Sequence, residues 1–314
     1  MVMELIIQII IFIFGLAVLI KSSGYFTEAA EKVGLHFGIP AFLVGVTIVA
    51  FGTSIPELVS SFIAVAKNSS EIVTGNIVGS NIANIGFVLA IAAIVGKKLR
   101  VSWELIHVDL PLLMGSALLL AATLMDGKLV FYEAVLLLTG YIVYLTYIVQ
   151  AQKEHKSKTK PDVKKEKLGW KVPAILIVSS AFIYFGATYL IDSVIKLSLI
   201  LNIGKEIIAV SAVSIGTSLP ELAVSFIAAK KGQAELAIGN ILGSNIFNSF
   251  AIMGLVGLFS SLVVPSILIT LAIPIMIVLT LMYFFVALDN EITRHEGVIL
   301  LLIFLFFLGK LFLF

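Results

Sequence analysis

Ten apolar stretches recur along the chain, at roughly residues 3–33, 40–66, 71–96, 103–124, 129–150, 169–197, 205–230, 235–260, 264–288 and 295–313. Most are near or above the ~20 residues an α-helix needs to cross a hydrocarbon core about 30 Å thick. Polar residues fall between them in short runs. The pattern predicts an all-α membrane protein of ten transmembrane helices. One connector differs from the rest. Residues 151–168 read AQKEHKSKTKPDVKKEKL, a long polar segment that divides the chain into two five-helix halves, 1–150 and 169–314. No basic segment precedes the first apolar run, which reads as a retained helix rather than a cleaved signal.

Composition excludes a soluble domain: 60% of residues are hydrophobic and 13% charged, against about 25% charged in soluble domains. There is no cysteine, so disulfides, thiolate metal sites and thiol nucleophiles are all excluded. The positive-inside rule orients the helices. With the 151–168 linker cytoplasmic, 16 Lys and Arg residues lie inside and 5 outside, and both termini face outward. The location expected is the plasma membrane, with the bilayer as surroundings and neither a nucleic acid nor an obligate protein partner implied. The lysine-rich linker reads as a solvated tether.

A repeat carries more information than the composition. Residues 52–64 read GTSIPELVSSFIA and residues 216–228 read GTSLPELAVSFIA; residues 75–84 read GNIVGSNIAN and residues 239–248 read GNILGSNIFN. Both pairs are offset by 164 positions, and 18 of the 23 positions are identical. Five helices per unit is an odd number, so the second copy enters the membrane from the opposite side. Such inverted-topology repeats are an architecture of secondary transporters, with the substrate site at the midplane between copies.

The best-matched positions are polar, and polar groups are costly in hydrocarbon. Glu57 lies ten residues before Lys67, about 15 Å along a helix. Glu221, Asn84 and Asn248 fall at similar depth. Pro56 and Pro220 lack an N–H and clash with the preceding turn, so each helix is expected to break there. A helix restarting at the proline places Glu57 or Glu221 in its first turn, where the dipole favours a carboxylate. The inventory comprises these two carboxylates, backbone carbonyls freed at the breaks, the hydroxyls of Thr53, Ser54, Thr217, Ser218, Ser80 and Ser244, and the amides of Asn84 and Asn248. Every donor is oxygen. Hard cations such as Ca²⁺ take 6–8 oxygen ligands, and two carboxylates balance one divalent ion in charge. An empty site would hold two bare carboxylates away from water, which favours obligatory exchange over leak.

At these residues the chain resembles the calcium/cation antiporter superfamily. Its first α-repeat is similar to residues 50–84 and its second to residues 214–248. The likeness is greatest to compact prokaryotic sodium/calcium exchangers. The resemblance implies exchange of Ca²⁺ for Na⁺ by alternating access, with one net charge moved per cycle and no cofactor. It implies that Glu57, Glu221 and the carbonyls of Thr53 and Thr217 hold Ca²⁺. Flanking Na⁺ sites would use Ala50, Ser54 and Ser244 on one side, and Ser214, Ser218 and Ser80 on the other. Asn84 and Asn248 would face the centre, and the first and sixth helices would slide across the other eight. Asn248 stands where some archaeal members and the potassium-dependent branch carry Asp. An H⁺/Ca²⁺ antiporter of the same superfamily is the alternative. An intramembrane enzyme is disfavoured, because no HExxH, GxSxG or paired catalytic aspartates occur.

Overall fold

The computed structural model describes residues 2–36, 50–100, 109–156, 169–289 and 291–312, which are mostly helical. In chain order the first half contains α1 (Val2–His36), α2 (Ala50–Thr53), α3 (Ile55–Ala66), α4 (Ser70–Gly96), β1 (Lys98–Arg100), α5 (Leu110–Leu124), β2 (Lys128–Leu129) and α6 (Phe131–Lys156). The second contains α7 (Lys171–Leu201), α8 (Lys205–Thr217), α9 (Leu219–Lys230), α10 (Ala234–Phe259), β3 (Leu262–Val263), α11 (Leu268–Ala287), β4 (Glu291–Thr293) and α12 (Arg294–Leu311). Six of these helices are long and apolar enough to cross a membrane, and the pair α8 and α9, bent by 40°, makes a seventh. The shorter α3 and α5 are also apolar.

Each apolar segment read from the sequence contains described helix, with three adjustments. The parts of the second and fourth segments at 40–49 and 103–108 lie outside the described residues, as do residues 157–168 of the linker. α6 continues to Lys156, into the first residues of the polar segment 151–168. Residues 151–156 read AQKEHK, mostly good helix formers, and the first proline is Pro161. The segment at 40–66 is two helices parted at Ser54, and that at 205–230 is parted at Ser218.

The halves end matched helices in the same way. After α3, Ser69 N–H bonds to Ala64 O at 2.9 Å and Asn68 N–H to Val65 O at 2.9 Å. After α9, Gln233 N–H bonds to Ala228 O at 2.9 Å and Gly232 N–H to Ala229 O at 3.1 Å. These are paired caps that need a left-handed residue just past the helix. Asn68 at φ 53° and Gly232 at φ 74° supply it at positions 164 apart. Both α4 and α10 then widen into a π-helical turn, Asn84–Leu89 and Phe247–Ile252. Such turns cluster at functional sites.

Burial ranks the helices from centre to rim. The most apolar stretches of α4 and α10 are 83% and 89% buried, against 17% for α1 and for α6. The repeated GNI…GSN sequences therefore form the centre, while α1 and α6 turn apolar surface outward, as lipid-facing helices do. α1 packs mainly along α7 through glycine. A Cβ at Gly15 would lie 3.1 Å from Gly186 O, and one at Gly186 would lie 3.0 Å from Gly15 O. Backbone thus rests on backbone there. Short antiparallel strand pairs join the halves: β1 pairs with β4 and β2 with β3. Near β3, Thr74 Oγ1 donates to Val263 O at 2.8 Å. The second pair therefore lies at the start of α4, and β1 lies past its end. The ion pairs Lys67–Asp192 at 2.6 Å and Lys205–Glu71 at 3.0 Å join the halves at the start of α4 too.

Candidate ion-binding site

Two helix breaks build the site. Ser54 has φ −91° and ψ 8°, and Ser218 has φ −81° and ψ 2°. Both sit in the bridge region between helix and strand, and both precede a helix whose second residue is proline. Glu57 and Glu221 are therefore the third residues of α3 and α9. There the unpaired N–H groups and the dipole favour negative charge. Thr53 and Thr217 end α2 and α8, so each break also offers the carbonyl end of a helix.

Both glutamates are fully buried, and they are electrostatic neighbours. Each carboxylate receives hydroxyls from both halves. Ser54 Oγ donates to Glu221 Oε1 at 3.1 Å, and Ser244 Oγ donates to the same oxygen at 3.3 Å. Ser80 Oγ donates to Glu57 Oε1 at 3.3 Å, and the Thr217 hydroxyl also reaches Glu57. Thr217 Oγ1 lies 3.3 Å from Asn76 Oδ1, and Thr53 Oγ1 lies 3.4 Å from Asn240 Oδ1. Asn76, Ser80 and Asn84 recur every four residues on one face of α4, and Asn240, Ser244 and Asn248 do so on α10.

The decisive property is what remains unpaired. Glu57 Oε2, Glu221 Oε2, Asn84 Oδ1 and Asn248 Oδ1 are all buried without a hydrogen-bond partner, as is Ser218 Oγ. Buried polar atoms are normally satisfied, and an orphan calls for an explanation. These four acceptor oxygens stand at two pairs of matched positions. Buried oxygens left unpaired in this way suit a hard cation. Among the described residues no group of three or more His, Cys, Asp or Glu side chains forms, so the fixed charge of the site is that of the two carboxylates. Burying both ionised would cost on the order of several kcal/mol per ion without a counter-charge.

The sequence-read residues divide accordingly. The structure gathers seven of them in two hydrogen-bonded sets, Ser80 and Thr217 with Glu57, and Ser54, Ser244 and Thr53 with Glu221. Asn84 and Asn248 lie one turn along α4 and α10 from Ser80 and Ser244. Ser218 is buried at the second break. Ser214 is buried, but its hydroxyl donates to Val210 O at 2.8 Å and lies 3.1 Å from Ser211 O. Ala50 opens α2, one turn before the first break.

A family model described as sodium/calcium exchanger protein matches residues 7–150 and 171–313, omitting the linker. The chain belongs to the sodium/calcium exchanger family. The resemblance read from the two motifs is thereby borne out. This family member is 33% identical to sodium/calcium exchanger MaX1 of Methanosarcina acetivorans, over 98% of this chain and 99% of the relative. It is 30% identical to the putative antiporter CaxA of Alkalimonas amylolytica over 93% of this chain and 94% of that one. Solved structures of the sodium-calcium exchanger NCX_Mj superpose on it. The form soaked with 2.5 mM Na⁺ and 0.1 mM Ca²⁺ does so at a TM-score of 0.69 and 28% identity, over 97% of this chain and 98% of that one.

Sequence reading passed over four asparagines of this family member. Asn76 and Asn240 contact the threonines, and Asn81 and Asn245 contact Asn248 and Asn84. All four are invariant between the two repeats. That identity, in segments expected to be apolar, was a signal equal to the one that singled out Ser80 and Asn84.

Proposed function

We propose that the chain is a secondary-active antiporter that exchanges Ca²⁺ for Na⁺ across the plasma membrane by alternating access. Its ten spans form two inverted five-helix repeats, 1–150 and 169–314. Ca²⁺ is held by Glu57 and Glu221 with the carbonyls of Thr53 and Thr217. Na⁺ occupies flanking positions built from Ala50, Ser54 and Ser244, and from Ser214, Ser218 and Ser80. Asn84 and Asn248 complete the centre. The observation that carries this reading is the matched set of unpaired buried oxygens, two carboxylate and two amide. Oxygen-only donors suit hard cations, and two carboxylates neutralise one divalent ion. The loaded site is then neutral, whereas the empty site is not, so the carrier crosses loaded. Family membership supports Na⁺ as the exchanged ion.

Exchange of three Na⁺ for one Ca²⁺ moves one net charge, coupling the cycle to membrane potential at about 2.3 kcal/mol per 100 mV. The test is ⁴⁵Ca²⁺ uptake into proteoliposomes with Na⁺, K⁺ or H⁺ gradients imposed one at a time. An outward Na⁺ gradient drives uptake, and an interior-positive potential accelerates it because net positive charge leaves. Uptake driven by a pH gradient and indifferent to Na⁺ would establish the H⁺/Ca²⁺ alternative instead.

A further inference from the structure

An amide side chain is two-ended. Its oxygen attracts a cation and its NH₂ repels one, yet the two ends are nearly the same size. An asparagine that serves a cation must therefore be held oxygen-inward by something else. The structure shows what holds Asn84 and Asn248. Asn84 Nδ2 donates to Asn245 Oδ1 at 2.9 Å, and Asn248 Nδ2 donates to Asn81 Oδ1 at 3.2 Å. The pairs are exchanged by the 164-residue offset and cross between α4 and α10. In each, the NH₂ is spent on the neighbouring helix, and the Oδ1 is left buried and unpaired.

The accepting asparagines are pinned in turn. Asn81 Nδ2 donates to Ser249 Oγ at 2.7 Å, and Asn245 Nδ2 donates to Asn81 O at 3.3 Å. With their own NH₂ groups engaged, Asn81 and Asn245 can present only oxygen to Asn248 and Asn84. All four asparagines are buried, so water does not compete for these groups.

We infer that Asn81 and Asn245 are positioning residues. Each fixes the amide of the opposite repeat's Asn248 or Asn84 with its oxygen toward the cation. The inference rests on the ion-exchange reading above. Without its clamp the amide swings between two orientations, one of which turns NH₂ toward the ion. Carboxylates present oxygen either way and need no clamp. A positioning role therefore makes a prediction that a packing role does not. Loss of Asn81 matters when residue 248 is Asn and ceases to matter when it is Asp.

The experiment is equilibrium ⁴⁵Ca²⁺ binding to the purified full-length protein in detergent, with thermal melting as a check on folding. Asn81→Ala and Asn245→Ala each weaken Ca²⁺ binding about tenfold. Asn81→Ala on an Asn248→Asp background, and Asn245→Ala on an Asn84→Asp background, cost nothing further. Ser249→Ala, which only unpins Asn81, weakens binding in the same direction by less and keeps the inference testable where Asn81→Ala does not fold. Unchanged binding in Asn81→Ala, or an equal loss on both backgrounds, overturns the clamp. Absence of Ca²⁺ binding by the unaltered protein overturns the ion-exchange reading instead. Loss of binding in Glu57→Gln but not in Asn81→Ala retains that reading and removes the clamp alone.

Discussion

Gly79→Ala tests whether the site depends on close approach of two helices. A Cβ at position 79 would lie 2.6 Å from Val210 O, 2.7 Å from Ser214 Oγ and 2.8 Å from Ser214 Cβ. Contacts below 3.0 Å are essentially never seen for real Cβ atoms. Neither neighbour can yield alone, because Ser214 Oγ is itself bonded to Val210 O. α8 must therefore retreat from α4. Restoring 3.0–3.4 Å from 2.6 Å means a shift of about 0.4–0.8 Å. Thr217 rides on α8, and its hydroxyl stands 3.3 Å from Asn76 and 3.5 Å from Ser80. The smallest of those shifts, directed along these contacts, lengthens them to about 3.7 and 3.9 Å, past useful hydrogen bonding. Overpacking costs about 1–3 kcal/mol of stability. Losing one positioning hydrogen bond costs about 1 kcal/mol, which is roughly a fivefold loss in ion affinity. The assay is Na⁺-driven ⁴⁵Ca²⁺ uptake against external Ca²⁺, together with a melting curve. The concentration for half-maximal uptake rises about fivefold, and melting moves to lower temperature. Gly115→Ala is the control. Its Cβ meets nothing within 4 Å, and alanine favours the helix by about 0.8–1.0 kcal/mol. Unchanged half-saturation and stability in Gly79→Ala would refute the argument that α4 and α8 must touch there for the site to form.

Glu57→Gln and Glu221→Gln each preserve size but remove one of the two charges proposed to balance a divalent ion. A unit charge about 4 Å from such an ion contributes about 8 kcal/mol before solvation at an effective dielectric of 20, so Ca²⁺ uptake falls below detection while the protein still folds. Near-normal flux in either variant excludes that residue. Asn248→Asp places a third carboxylate beside the pair, which makes the charge of the site depend on bound protons. Uptake then varies more steeply with pH around neutrality, and an unchanged pH profile counts against Asn248 facing the pair. Ser157→Cys reports on orientation: in intact cells it resists an impermeant thiol reagent if the linker is cytoplasmic, and rapid labelling from outside would invert the assignment.

The main features of this site were legible because the physics behind them is local. A proline in an apolar run breaks the helix wherever the run packs, so Ser54 and Ser218 could be located from Pro56 and Pro220 alone. A carboxylate in the first turn after such a break follows from the same residues. Partnership was not legible. The repeat makes Ser54 equivalent to Ser218, yet Ser54 bonds to Glu221 while Ser218 Oγ has no partner. Which hydroxyl meets which carboxylate is decided by how the halves lean together. The strands were equally hidden, since two or three residues are too few for an alternating pattern to register. Asn81 and Asn245 were in plain view, but their value lies in contacts with another helix.

The two strand pairs have a consequence for how such a chain is put together. Position 98 of β1 maps by the 164-residue offset onto 262 of β3, and 128 of β2 maps onto 292 of β4. Each ribbon thus takes one strand from each half, and exchanging the halves exchanges the ribbons. The first half on its own would carry two unpaired strands, one at each end of α4, and one of the two buried glutamates. Its natural complement is the matching half. Fusion through a linker makes that partner permanent and relaxes the demand that the copies stay alike. Ser249, which pins Asn81, faces no counterpart, because the first half carries Ile85 there. Joined in one chain, the halves are free to specialise in sequence while the contacts between them keep their two-fold plan.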